Sequence, residues 1–172
     1  SIKQQAAVVL AADVTLRSAA PIGPKYLSIA KAQELNTAET ISFLSMTLHD
    51  GNSVLSSIKA TTPGYPLRGK LKLLDLNGQN IEKPTGSPMR GNIWVEQSLI
   101  DRFNISKGDS ITLGNESFAV SAVLVDFPDR NDGFLAFAPT VIANIEDLDA
   151  MGVIQPGSRV VYRQLYSGLE NQ

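Results

Sequence analysis

A stretch rich in glycine and proline, TPGYPLRGKLKLL from Thr62 to Leu74, interrupts a chain that is otherwise typical of strands and tight turns. Proline removes a ladder donor and glycine weakens a strand, so this density of both residues ends one run of strand before the next begins. We call Thr62–Leu74 the joint. Such a stiff, irregular connection is expected to mark a change of subdomain, and the polar loop Asp129–Gly133 is expected to mark the return.

The segment before the joint predicts a strand, a helix and a hairpin. AAVVLAADVTLRS alternates apolar and polar residues, as a half-buried strand does. PKYLSIAKAQEL predicts a helix with Pro24 at its first position and Asn36 at its end. ETISFLSMTLHD predicts a strand whose apolar face shifts, which indicates a β-bulge near Phe43–Leu44. Asp50-Gly51 predicts the turn into the returning strand SVLSSIKAT.

The segments after the joint are shorter and richer in turns. NIWVEQSLIDRFNI predicts a short strand followed by a short helix, and KGDSITLGNESFAVSAVLVDF predicts a hairpin around Gly114-Asn115. Beyond the polar loop, FLAFAP predicts a strand, NIEDLDAMG a short helix and GSRVVYRQLYSG the last strand. The chain is therefore expected to end as it begins, with strand, helix and strand.

These elements predict an α+β fold in two parts. Residues 1–62 and 134–172 are expected to form a layer of two strand–helix–strand units that share one sheet, with the helices on one face. Residues 63–133 are expected to form an inserted β-rich subdomain. The first and last strands are expected to be antiparallel neighbours, so that Ser1–Gln5 and Ser167–Gln172 emerge together, away from the insert.

Composition excludes several classes of function. The chain has 172 residues, of which 43% are hydrophobic, and a formal net charge of −2. It shows no concentrated basic patch, so we expect no nucleic-acid partner. It has no cysteine, which removes disulfides, thiolate metal sites and a cysteine nucleophile. No run of about 18 apolar residues is present, so no membrane-spanning helix is expected.

The sequence offers little support for a catalytic or metal site. His49, the only histidine, could act as a general base beside a serine nucleophile, but no GxSxG elbow accompanies it, and a structural histidine beside a turn is the alternative. DFPDRND and NIEDLDA hold clustered carboxylates, without the spacing of a calcium loop. We expect Asp126, Asp129 and Asp132 to lie in a turn, and Asp147 and Asp149 in a short exposed helix. We expect no metal and no cofactor.

Three residues are the best candidates for contact with a ligand: Tyr65, Arg68 and Trp94. Aromatic residues and arginine are concentrated in binding surfaces. They are also common as structural anchors, and both interpretations stay open at this stage.

Several segments together resemble one family. VTLRSAAPI, GYPLRGKL, GNIWVEQSLIDRFNISKGDSITLGNESFAVSAVL, PDRNDGFLAFAP and GVIQPGSRVVYR are similar, in this order and over nearly the whole chain, to the extracytoplasmic domain of an FtsX-like, MacB-type ABC-transporter permease. Within that class they are most similar to a permease that works with a separate ATPase subunit and a periplasmic esterase. YPLRG and IQPGSRV are the most specific of these segments.

The resemblance implies a porter-like layer with an inserted, sabre-like subdomain at the periplasmic face of the bacterial inner membrane. It implies a cognate ATPase subunit reached through membrane helices, and it makes a periplasmic esterase and a lipid or other hydrophobic cargo candidate partners. It carries over no catalytic residue. The alternatives are a stand-alone hydrolase that depends on His49, a ligand-binding module, and a purely structural module.

Overall fold

The computed structural model of the protein describes residues 2–4 and 12–168. The strands are β1 (Ile2–Gln4), β2 (Val14–Ser18), β3 (Asn36–His49), β4 (Asn52–Thr61), β5 (Lys72–Leu74), β6 (Asn92–Glu96), β7 (Ser110–Leu113), β8 (Glu116–Asp126), β9 (Thr140–Asn144) and β10 (Val160–Ser167). The helices are α1 (Lys25–Ala32), α2 (Gln97–Phe103) and α3 (Leu148–Met151), with 3₁₀ turns at Gly133–Leu135 and Ile145–Asp147. None of these helices is both long enough and apolar enough to cross a membrane.

The strands of the described residues belong to one mixed sheet. Their order along the hydrogen-bonded path is β1-β2-β10-β3-β4-β9-β6-β8-β5. β7 pairs with both β3 and β8, so that β3, β4, β9, β6, β8 and β7 form a closed ring of strands. β4 is parallel to β9 and β6 is parallel to β8, whereas the other pairs are antiparallel. Strands β10, β2 and β1 extend the sheet beyond the ring.

The three helices pack on one face of this sheet, which we call the helical face. Inside the ring this face forms the largest apolar core, to which Phe43, Ile58, Ile93, Val141 and Phe118 contribute. Leu99, Ile100 and Phe103 of α2 and Met151 of α3 close the same core. α1 packs Ala30 against Leu16 and Tyr166 on the extension. The position of the helices on one face agrees with the sequence-based expectation. Each leucine that is fully buried in this core stabilises the fold by about 1.5–3 kcal/mol.

Loops cover the opposite face, which we call the loop face. The joint supplies Tyr65, Leu71 and Leu73, and Phe127 follows directly on β8. These side chains pack on Ala38, Trp94, Ala122, Leu124, Ile142 and Leu165 of the sheet. The middle strands are therefore buried on both faces, which explains the near-continuous apolar and small residues of β4, β6 and β9.

The β-bulge expected near Phe43–Leu44 is wrong. β3 pairs with β10 and with β4 in an unbroken register along its 14 residues. Its buried side nevertheless changes, from Ala38, Thr40 and Ser42 on the loop face to Phe43 and Thr47 on the helical face. The buried side of β3 changes because different parts of the protein cover its two halves. The joint covers the first half on the loop face, and the ring interior encloses the second half on the helical face.

The segment around residue 140 also differs from expectation. FLAFAP is not a strand, because Gly133–Leu135 forms a 3₁₀ turn and Phe137 is exposed. The strand begins at Thr140, where the β-branched run Thr140–Ile142 is buried between β4 and β6. The predicted helix at residues 24–35 is shorter, since α1 ends at Ala32 and Asn36 already begins β3.

The turns and the pairing of the end strands agree with the sequence. Asp50-Gly51 forms the two-residue turn of the β3–β4 hairpin, with both residues at positive φ. β10 pairs antiparallel with β2, as expected for the first and last strands. Residues 6–11 of the first predicted strand, and residues 1, 5 and 169–172 near the chain ends, lie outside the described residues.

The predicted division at residues 63 and 133 stays a prediction. Strands on the two sides of it are hydrogen-bonded to each other: β6 pairs with β9, and β7 pairs with β3. The boundary is therefore not a break in the sheet. Two subdomains defined by it would be joined by hydrogen bonds between their strands.

Candidate functional site

A cluster of ionisable side chains lies buried beneath the joint. Lys59, on the loop face of β4, is 1% exposed, and its Nζ lies 2.9 Å from Oδ2 of Asp129. The same ammonium donates to the backbone oxygen of Asp129 at 3.1 Å. The Tyr65 hydroxyl donates to Oδ1 of Asp129. One carboxylate therefore connects the sheet, the joint and the loop that follows β8.

Burial controls the proton affinities of this cluster. Desolvation lowers the pKa of Lys59, although the charge of Asp129 opposes the shift. Desolvation, followed by the neighbouring Asp129 carboxylate, raises the pKa of Tyr65 well above 10.0. Desolvation also lowers the pKa of Arg163, which lies on the same face of the sheet. The Tyr65 phenol therefore keeps its proton at neutral pH and donates it to the Asp129 carboxyl group.

Aromatic rings complete the surroundings of the Lys59 ammonium. Nζ lies 5.6 Å from the ring centre of Tyr65 and 5.3 Å from that of Phe127. Arg130 lies over the same Phe127 ring at 4.8 Å and forms an ion pair with Glu96 at 3.1 Å. Rings at these distances stabilise a partly desolvated cation, which adds to the ion pair with Asp129.

The structure places the predicted binding residues in two settings. Tyr65 and Trp94 belong to the same buried cluster on the loop face and are 2% and 6% exposed. Arg68 lies apart, where Nε and Nη2 donate to the two carboxylate oxygens of Asp13 at 3.0 Å each. Nη2 also donates to the backbone oxygen of Gly168 at 3.2 Å. Arg68 therefore connects the joint to the first residue before β2 and to the residue after β10.

An open cleft of about 830 Å³ lies beside the joint. Its walls are the joint and residues 80–86, with Leu71, Leu73 and Ile81 toward the sheet and Lys70, Lys72 and Lys83 among the polar residues around it. The two walls meet at Gly86, whose backbone oxygen accepts a hydrogen bond from Thr61 Oγ1 at 2.8 Å. Ser87 Oγ donates back to the Thr61 oxygen at 2.9 Å. The cleft is lined only by residues of the predicted insert, and not by both parts of the chain.

The His49 ring is held at the end of β3 by a backbone carbonyl group, an aromatic ring and two carboxylates. Its Nδ1–H donates to the backbone oxygen of Ser110 at 2.7 Å, and its ring packs on Phe103 at 5.8 Å. Nε2 lies 3.5 Å from a carboxylate oxygen of Asp50 and 3.9 Å from one of Asp109. Within the described part of the chain, no serine or threonine hydroxyl is hydrogen-bonded to this ring, so the arrangement expected of a serine nucleophile and its base is not formed.

The clustered carboxylates pair with cations and backbone donors. Asp126 pairs with Arg130 at 3.2 Å, and Asp132 lies 3.9 Å from Arg163. Asp147 is buried, contrary to the expectation of an exposed helix, because it accepts a hydrogen bond from the Gly91 N–H at 2.9 Å. Residues 12–168 contain no group of three or more histidine and acidic side chains arranged to hold a metal ion.

Sequence reasoning missed Lys59 as a site residue. The available signal was a lysine within SSIKAT, a run of small and apolar residues that is buried throughout. A lysine in a strand buried on both faces requires a carboxylate partner. The sequence does not identify that partner, because Asp129 is 70 residues away.

Apolar side chains are exposed at the far end of the β3–β4 hairpin. Met46 and Leu55 are direct cross-strand partners, and Leu48 follows on the same face. We call these three residues and Phe137 the apolar tip; each is between 42% and 91% exposed. Phe137 belongs to this region because Pro139, two residues later, accepts a hydrogen bond from the Ser57 N–H at 2.8 Å.

Comparison with family models gives no match for this chain. Comparison with curated proteins shows similarity to a permease-type segment. The relative is the uncharacterised ABC transporter permease YbbP of Escherichia coli K12, which is 28% identical over 171 residues, or 99% of this chain. The chain spans 20% of that relative's length. A crystal structure of a domain assigned to a permease protein of Porphyromonas gingivalis matches with a TM-score of 0.46 and 12% identity, over 75% of this chain and 59% of that one.

The similarity to YbbP agrees with the resemblance to an ABC-transporter permease that the sequence segments indicate. It does not distinguish the FtsX-like, MacB-type subclass, a separate ATPase subunit or an esterase partner.

Proposed function

We propose that this chain is an extracytoplasmic domain of an ABC-transporter permease of the FtsX-like, MacB-type class. In this proposal it faces the periplasm of a bacterial inner membrane and has no catalytic residues of its own. ATP hydrolysis on a separate cytoplasmic subunit moves it through the membrane helices. Similarity to YbbP over 99% of the chain supports the permease part of the proposal.

The observation that carries the proposal is the position of the two end strands. β2 and β10 are antiparallel neighbours, and the Gly168 N–H donates to Oδ2 of Asp13 at 3.2 Å. Arg68 of the joint contacts both of these residues, so the first residues of the predicted insert lie beside this place and not away from it, contrary to the expectation from the sequence. Asp13, just before β2, and Gly168, just after β10, therefore lie together, and Ile2–Gln4 of β1 pairs with β2 beside them. This arrangement supports a domain inserted between two membrane helices.

The apolar tip lies far from this place. β3 begins at Asn36, beside Ser167, and reaches His49 after 14 residues, which at ~3.3 Å per residue is about 45 Å. With both ends at the bilayer, the hairpin projects away from the membrane. A motion transmitted at the ends would then move the apolar tip, where a partner such as a periplasmic esterase could meet it.

Contact with a hydrophobic cargo at Tyr65, Arg68 and Trp94 remains part of the proposal in a restricted form. Tyr65 and Trp94 are buried and Arg68 is paired with Asp13. A ligand could reach Tyr65 and Trp94 only if the joint moved off the sheet, whereas the Arg68 side chain is 21% exposed. The cleft beside the joint is the place where such a movement would open first.

Site-directed labelling tests this orientation. The chain contains no cysteine, so Asn36→Cys and Asn52→Cys can be introduced as single sites in the full-length permease, with any cysteine elsewhere replaced by serine. Both asparagines are exposed and lie at opposite ends of the β3–β4 hairpin. We expect a membrane-impermeant maleimide to label both from the periplasmic side, and neither from the outside of inverted vesicles.

A fluorophore at each site then reports the distance from the bilayer. We expect a quencher attached to lipid headgroups to reduce the emission at residue 36 strongly, and that at residue 52 hardly at all. Labelling from the cytoplasmic side, or equal quenching at both sites, would contradict the proposal.

A further inference from the structure

The edge of β4 beside the apolar tip has no strand partner in the described part of the chain. β9 pairs with β4 only from Ser57 onward, and residues 52–56 extend beyond it. The direction of the backbone groups is known from the hairpin. His49 and Asn52 flank a two-residue turn and form a hydrogen-bonded pair, so alternate residues along β4 point their groups to β3 and away from it.

Ser53 and Leu55 are the residues whose backbone groups point outward. The Ser57 N–H, two residues further on, donates to Pro139 across the same edge, which confirms the alternation. Both residues are exposed. The edge therefore presents two N–H donors and two C=O acceptors in the arrangement of a β-ladder, continuing the line of β9.

The apolar tip adds side-chain contacts to this edge. Leu55 itself lies on the edge, Met46 is its cross-strand partner, and Phe137 lies near the point where β9 begins. Met46 and Leu55 form a non-hydrogen-bonded pair, in which side chains approach most closely. A strand added beside Ser53–Leu55 would place every second side chain on this apolar surface.

We propose that the β4 edge at residues 52–56 binds an extended peptide segment of a partner protein as an added strand. The segment is about five residues long, has apolar residues at alternate positions, and contacts the apolar tip with them. A basic residue at the end beside the hairpin turn would meet Asp50, whose side chain is 86% exposed. This inference goes beyond the proposed function, since it concerns the chain itself whichever membrane face it occupies.

The unpaired backbone groups favour a peptide over the other occupants. A lipid would cover the apolar side chains but would leave the N–H and C=O groups of Ser53 and Leu55 without partners. A second copy could pair through the same edge. However, residues 52–56 of a second copy, NSVLS, contain no basic residue to meet Asp50.

A random peptide library displayed on phage, selected against the immobilised chain, tests the proposal. We expect the enriched peptides to carry apolar residues at alternate positions and a basic residue at one end. Hydrogen exchange of the unmodified chain with a synthesised peptide should show new protection of the Ser53 and Leu55 amides, and unchanged protection of the Val54 amide, which faces β3.

Two variants separate the contributions of backbone and side chain. Ser53→Pro removes one outward N–H and should weaken peptide binding about fivefold, the value of one net hydrogen bond. Leu55→Thr keeps a strand-forming residue and should weaken binding about tenfold through lost apolar contact. Ile29→Ser is the control, because Ile29 is as exposed as Leu55 (47% each) but lies on α1, and it should leave binding unchanged.

Several results would overturn the proposal. One is the enrichment of no peptide, or of peptides without alternation. Another is binding that protects other amides or that survives both β4 variants. Concentration-dependent dimerisation that Leu55→Thr abolishes would assign the edge to a second copy, and vesicle binding abolished by the same variant would assign it to lipid. If Ser53→Pro does not fold, Leu55→Thr and the exchange experiment still decide the question.

Discussion

At the scale of single residues, the most unusual feature is the ion pair of Lys59 and Asp129, which is buried beside an apolar core. Lys59 is 1% exposed and the Asp129 side chain is 15% exposed. A pair in this environment does not necessarily add stability over apolar residues of similar size, but removal of one partner leaves an uncompensated buried charge. The pair therefore determines where the loop after β8 can lie.

Asp129→Asn should lower the free energy of unfolding by about 3 kcal/mol, because it leaves the Lys59 ammonium buried without its counter-charge. The double variant Lys59→Met with Asp129→Asn should recover a large part of this loss. In the double variant, methionine fills the space of the lysine stem and asparagine still accepts from Tyr65. Urea unfolding of the four proteins in this cycle measures the coupling.

Asp126→Asn is the matched control for that cycle. Asp126 is the last residue of β8, but its side chain is 65% exposed and pairs with an exposed arginine. Its loss should be below about 1 kcal/mol, as for surface ion pairs. Equal losses for Asp126→Asn and Asp129→Asn would show that the buried pair does not hold the loop.

At the scale of elements, the joint is held by its close approach to residues 84–88. A Cβ on Gly86 would lie 1.8 Å from the Tyr65 backbone oxygen and 2.4 Å from that of Pro63. Both neighbours are backbone atoms, which cannot rotate away as a side chain can. Glycine at this position therefore allows the loop to press against the joint and to bond to Thr61.

Gly86→Ala should destabilise the protein by about 1–3 kcal/mol, the usual range for an overpacked site. Gly23→Ala should change stability by less than about 1 kcal/mol, since nothing lies within 4 Å of its Cβ position and its φ is not positive. Thermal unfolding of the two variants gives the comparison. Limited proteolysis should show faster cleavage within residues 80–86 for Gly86→Ala alone, and equal cleavage of both variants would contradict this account.

At the scale of the whole molecule, the sheet joins the predicted layer and insert through shared hydrogen bonds. β9 of the layer lies between β4 and β6, and β7 of the insert pairs with β3. Unfolding of either part would expose strand edges and core residues of the other. We therefore expect the two parts to unfold together, as small cooperative domains do.

Urea unfolding should give coincident transitions for far-UV circular dichroism and for the fluorescence of Trp94, the only tryptophan, which lies in the predicted insert. Leu16→Ala, in the cluster of Leu16, Ala30 and Tyr166 that belongs to the predicted layer alone, should cost about 2–5 kcal/mol. It should shift both transitions equally. A Trp94 transition that stays in place while the circular dichroism transition shifts would show that the insert is a separate folding unit.

Local features of this fold were predictable from the sequence wherever neighbouring residues decide the structure. Asp50-Gly51 indicates its hairpin turn because both residues tolerate positive φ, and β6 followed by α2 is evident from NIWVEQSLIDRF. Lys59, by contrast, was overlooked because its meaning depends on a carboxylate that is distant in the chain. Tyr65 and Arg68 were recognised as unusual, but their partners Asp129 and Asp13 were not.

The sequence by itself determined the types of most elements and the turns between them, because backbone preference and apolar periodicity are local properties. The resemblance to a permease rests instead on particular segments such as YPLRG and IQPGSRV. Only the tertiary structure decided which face of each strand is buried. β3 has the alternation of a bulged strand but is regular, since the joint covers one half and the ring interior the other. The closure of the ring through β7, the covered joint and the uncovered edge of β4 also depend on contacts between residues far apart in the chain. No periodicity within a single segment encodes such contacts.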